Sequence, residues 1–92
     1  MKRPPDFVCT LGGAEWQVRF VRRGHPKVPK CWGICYWDHK EIYVRYDLSE
    51  QRVREVLLHE MLHGTCRLLF VAEEWVDYTA QELAVGMRRA GF

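Results

Sequence analysis

Along the first half of the chain apolar and polar residues alternate at the period of a strand. Trp16, Val18 and Phe20 fall on one side and Gln17 and Arg19 on the other, until Val21 breaks the rhythm. With residues 7–11 before them and Gly12-Gly13 between, residues 15–22 are predicted to close a hairpin. A loop with prolines at 26 and 29 follows. Residues 31–37 and 42–46 then flank the polar turn Asp38-His39-Lys40-Glu41, a second predicted hairpin.

In the second half the period changes. Ser49 is placed to cap a helix, and Glu50 suits the positive end of its dipole, so a helix is expected from there to about residue 71, with a break near Ala72. From Glu73 the positions Val76, Ala80, Leu83 and Met87 mark one apolar face, ending near Gly91. Hairpin, hairpin, helix, helix is an α+β pattern, expected to hold a small antiparallel sheet.

The length of 92 residues allows one domain, and no repeat or linker-like tract divides it, so residues 1–92 are read as a single unit. With 48% hydrophobic and 28% charged residues the composition is that of a folded globule, which excludes disorder and collagen-like repetition. No apolar run approaches the roughly 18 residues a membrane span requires, and no signal-like apolar core follows the first residues. No membrane partner is expected and the expected location is the cytoplasm. There Cys9, Cys31, Cys35 and Cys66 would be thiols, small apolar filler rather than disulfides or a metal site.

The net charge is +2, but it is unevenly spread. Residues 1–46 carry nine Lys/Arg against four Asp/Glu, and residues 47–92 carry five against eight. Residues 19–30 hold five basic side chains and no acidic one. Such a stretch can face nucleic acid or an acidic partner, although a solvated, proline-broken loop is the commoner explanation.

The sharpest chemical signal lies in the first helix, where His59-Glu60-Met61-Leu62-His63 matches H-E-x-x-H. Four residues' separation puts the two imidazoles on successive turns of one face, able to reach one tetrahedral Zn²⁺. Glu60, turned about 100° from His59, is poorly placed as a ligand but can reach a water at the metal. From Val56 to Cys66 the three motif residues are the only His, Asp, Glu, Lys or Arg, so this helix is expected to be mostly buried. Ionisable groups there need a partner or a metal. Two His leave zinc short of the usual three protein ligands. Glu73, Glu74, Asp77 and Glu82 are the downstream candidates. The apolar face of the second helix takes in Glu73 at its edge with Asp77 beside it, while Glu74 points away.

His59-Glu60-Met61-Leu62-His63, followed by Glu73 and then Asp77, resembles the gluzincin pattern of zinc metallopeptidases. The short chain and strand-rich first half are most similar to minimal gluzincins and to the small metallopeptidase-like proteins of phages and prophages. The resemblance covers roughly residues 16–87. It implies a zincin-like fold, Zn²⁺ held by His59, His63 and Glu73, Glu60 as the catalytic base, and Asp77 orienting the first zinc His. It also implies peptide or protein substrates, bound by strand addition at an edge strand, here residues 31–37. No side chain is singled out to stabilise the transition state, with Tyr36, Tyr43, Tyr46, Tyr78 and His39 all open. The expected activity is thus zinc-dependent peptide hydrolysis. The alternative is a regulatory or nucleic-acid- or protein-binding module with a structural or vestigial zinc site, for which Cys66 or His39 would be a fourth ligand.

Overall fold

The structure, a computed structural model, describes residues 2–65 and 72–91. Four strands, β1 (Phe7–Leu11), β2 (Ala14–Val21), β3 (Gly33–Tyr36) and β4 (Glu41–Arg45), are followed by two helices, α1 (Glu50–Thr65) and α2 (Glu73–Arg89). The fold is α+β, as the pattern predicts. The first hairpin turns at Gly12 and Gly13, both with positive φ, the backbone a tight two-residue hairpin requires. Residues 66–71, the expected end of the first helix, lie outside the described residues.

The sheet is mixed, not antiparallel, with the order β1-β2-β4-β3. Each hairpin is antiparallel, but β2 and β4 run parallel at the centre, pairing Val18 with Ile42 and Phe20 with Val44. Both are the second strand of their hairpin, and they lie side by side in the same direction. Burial explains the choice. Ile42, Tyr43 and Val44 are consecutive and all buried, so this strand needs cover on both faces and belongs at the centre, whereas β3 is only half-buried throughout and takes the edge.

On one face of the sheet Trp16, Val18, Phe20, Ile42 and Val44 form the core with Val53 and Val56 of α1. Tyr43, on the alternate register, is buried with the loop after β2, its ring 5.7 Å from those of both His25 and Tyr36. Val28 of that loop is buried too.

Ser49 does cap α1: its Oγ accepts a hydrogen bond from the Arg52 amide at 3.2 Å. The helix is less buried than its apolar sequence suggests. Val53, Val56, Glu60 and Gly64 are buried, and both motif histidines are half-buried. In turn α2 packs against α1. Its buried positions are Val76, Ala80 and Ala84, so Ala84 replaces the expected Leu83, which is exposed, and Met87 is half-buried. Small side chains at every fourth position let two helices approach closely, and the wider leucine is turned to the rim. No helix among the described residues is long and apolar enough to cross a membrane.

Candidate metal centre

One turn of α1 separates His59 from His63, and their Nε2 atoms lie 3.1 Å apart. Glu73, the first residue of α2, reaches across to both. Its Oε1 is 2.7 Å from Nε2 of His59 and its Oε2 is 3.0 Å from Nε2 of His63. These donors form a group lying within 4.8 Å of one another, two imidazole nitrogens and a carboxylate oxygen. A tetrahedral zinc with bonds of about 2.0–2.1 Å would space its ligand atoms about 3.3 Å apart. The contacts of 2.7, 3.0 and 3.1 Å are shorter than this by about 0.2–0.6 Å, with a different Glu73 oxygen facing each imidazole, so the donors would have to move apart to accept the ion. Borderline-soft nitrogen with one carboxylate is a donor set suited to zinc.

Asp77 sits one turn beyond Glu73, with Oδ1 3.6 Å from Nδ1 of His59 and Oδ2 accepting a hydrogen bond from Gln81 at 3.1 Å. It faces the ring nitrogen that the Glu73 contact leaves free, the position from which a carboxylate sets an imidazole's orientation. Glu74 is exposed and outside the group, as the helix face predicts.

Glu60 is the buried charged residue among those described, only 8% exposed. It lies toward β3, where a Cβ placed on Gly33 would sit 3.3 Å from Glu60 Cγ and 2.5 Å from Val56 Cγ1. Gly33 thus lets the edge strand press against the helix. Burial, reinforced by the negative charge of Glu73, pushes the Glu60 carboxyl up to about 7. A carboxyl with affinity for a proton near neutrality is suited to take one up and give it back.

A cleft runs beside this cluster, and it holds residues the sequence did not single out. Trp32, Arg52, Glu55 and Val56 line it together with His59, Glu60 and Asp77. The signal on α1 was present, since Arg52, Val56, His59 and His63 follow at spacings of four, three and four and share a face. Trp32 was expected only as part of the substrate-binding edge strand of residues 31–37; β3 begins at Gly33, and Trp32 lines the cleft from the loop just before it.

Of the open candidates for a stabilising side chain, Tyr36, Tyr43 and Tyr46 are engaged elsewhere, and Tyr78 and His39 are exposed. The Tyr36 hydroxyl donates to the Lys27 carbonyl, Tyr43 contacts Glu41, and the Tyr46 hydroxyl accepts from Arg22. Among the described residues His39 is not in the donor group, and Cys66 lies outside those residues. Cys9, Cys31 and Cys35 are free thiols, and burial pushes Cys35 up to about 12, which disfavours the thiolate a metal would need. The basic stretch of residues 19–30 is tied to the sheet. Arg19 pairs with Glu41 at 3.4 Å, Arg22 bonds Tyr46, Lys27 lies over the Tyr36 ring, and Val28 is buried. The chain matches no protein family, no curated protein and no solved structure.

Proposed function

We propose that this protein is a small zincin-type metallopeptidase, hydrolysing peptide bonds with Zn²⁺ held by His59, His63 and Glu73. The observation that carries the reading is the convergence of two imidazoles one turn apart and a carboxylate from a second helix, with a buried carboxyl, Glu60, beside them. Three protein donors is the number a catalytic zinc site takes, with the remaining position left for water or substrate. Zinc bound there would supply Lewis-acid polarisation of the carbonyl and would lower the pKa of a water toward neutrality.

The remaining roles belong to the chain. Asp77, with Oδ1 3.6 Å from Nδ1 of His59, stands where a small approach would let it accept from Nδ1–H and hold Nε2 toward the cluster. Glu60 takes the proton of the attacking water on its carboxylate and passes it to the leaving nitrogen. The outer edge of β3, one of the two terminal strands of the sheet, would offer its backbone groups to an extended peptide beside the cleft.

Glu60→Gln tests the assignment, since it keeps the shape and removes the base. Zinc should remain bound while hydrolysis of an unstructured peptide falls by orders of magnitude. Equal cleavage by parent and variant would end the case for Glu60, and with it the reading.

A further inference from the structure

The cleft has a volume of about 180 Å³, and its far end is already filled by a cation. The Arg52 guanidinium carbon lies 4.7 Å from the Trp32 ring centroid, and its Nη1 donates to Oε2 of Glu55 at 2.9 Å. The Glu55 side chain is 18% exposed and that of Arg52 is 46% exposed, so the carboxylate forms the inner wall and the guanidinium the rim. We propose that this end of the cleft is a subsite for a long basic side chain, lysine or arginine, of the peptide substrate, and that Arg52 fills it as an exchangeable stand-in in the free protein. The proposal rests on the peptidase reading for the word substrate, but the subsite itself rests on the pocket.

Three considerations lead to a cation. First, Glu55, Glu60 and Asp77 line the cleft, against Arg52 as the one cation among its described lining residues. An acidic side chain entering would meet all three carboxyls. Second, an aromatic face beside a carboxylate is a receptor for ammonium or guanidinium, and the seated Arg52 has the geometry of such a ligand. An incoming arginine would reproduce both contacts, whereas an apolar side chain displacing Arg52 would leave the Glu55 carboxylate without its partner. Third, distance requires a long side chain. Side chains on a helix lean toward its N-terminus, and Arg52 and Glu55 lie two turns and one turn before His59 on the same face, so their charged ends stand one to two turns from the metal donors. Arg52, at the half-exposed rim, gives up its contacts with Trp32 and Glu55 when it is displaced into water, which is why its removal should strengthen the binding of an arginine.

The test uses blocked peptides Ala-Ala-X-Ala-Ala with X as arginine, norleucine or glutamate, on the zinc-loaded protein. Binding is measured by calorimetry, and cleavage of the same peptides is followed separately. The arginine peptide should bind about tenfold more tightly than the norleucine peptide, with glutamate weakest, as one ion pair and one cation–π contact at a half-exposed site provide. Glu55→Gln should erase that order with zinc content unchanged, and Arg52→Ala should tighten the arginine peptide severalfold. Undetectable binding of the arginine peptide, equal binding of all three, a preference for glutamate, or weaker arginine binding by Arg52→Ala would each overturn the subsite. Cleavage without a basic preference would overturn it and leave the peptidase standing. The expected binding order without any cleavage would support the subsite and count against the peptidase.

Discussion

At the scale of single residues the account turns on how unequal neighbouring carboxylates are. Glu73 and Glu74 are adjacent and both complement the dipole at the start of α2, yet only Glu73 turns toward the imidazoles. Glu73→Ala should therefore weaken zinc binding severely. Asp77→Ala should weaken it by roughly 10- to 100-fold, and Glu74→Ala should change it little. A competition titration against a chromophoric chelator reads all three, and equal affinities for the Glu73 and Glu74 variants would refute the assignment.

Glu60 gives a second prediction, for the metal-free protein. Its carboxyl is pushed up to about 7 against an ordinary value of 4.5, so the folded chain binds this proton more tightly than the unfolded chain. The contribution is complete below the unfolded value and is lost as pH rises through 7, a change of at most about 3 kcal/mol. In a chelator, urea midpoints at pH 5 and pH 8 should differ in that direction for the parent, and Glu60→Gln should flatten the difference. A parent whose stability from this group rises with pH would contradict the burial argument.

At the scale of elements, the contact between β3 and α1 sets the shape of the cleft. A Cβ at Gly33 would meet Val56 Cγ1 at 2.5 Å, and valine's branched side chain has few rotamers by which to yield. Gly33→Ala should cost about 1–3 kcal/mol and move Glu60 away from the cleft, reducing hydrolysis more than zinc affinity. Thermal unfolding and zinc titration of the variant separate the two effects. Alternation at Trp16, Val18 and Phe20, the Gly12-Gly13 turn and the Ser49 cap are local signals, and these elements formed where they were expected. The parallel pairing of β2 with β4 is non-local, decided by which strand needs cover on both faces. Ala84 in place of Leu83 is a matter of how closely two helices pack, which period alone does not set. Within the site, spacing on one helix was enough to nominate His59, Glu60 and His63, and face geometry nominated Glu73. Trp32 fell within the expected edge strand of residues 31–37, but its place against Arg52 of α1 depends on the sheet order, which is non-local.

At the scale of the whole molecule, the candidate centre lies on the packed seam between α1 and α2. The α1 helix is anchored to the sheet by Val53 and Val56, while α2 is held through the narrow row Val76, Ala80 and Ala84. The donors His59 and His63 come from one side of that seam and Glu73 from the other. An ion between them would replace three close polar contacts by a single bridge, so metal binding would add to the folding energy as well as to chemistry. Metal content, measured by mass spectrometry on protein purified without a histidine tag from zinc-supplemented medium, decides whether this centre holds zinc. One equivalent of zinc, lost on His59→Ala or His63→Ala, is the result predicted; folded wild-type protein free of metal would contradict it.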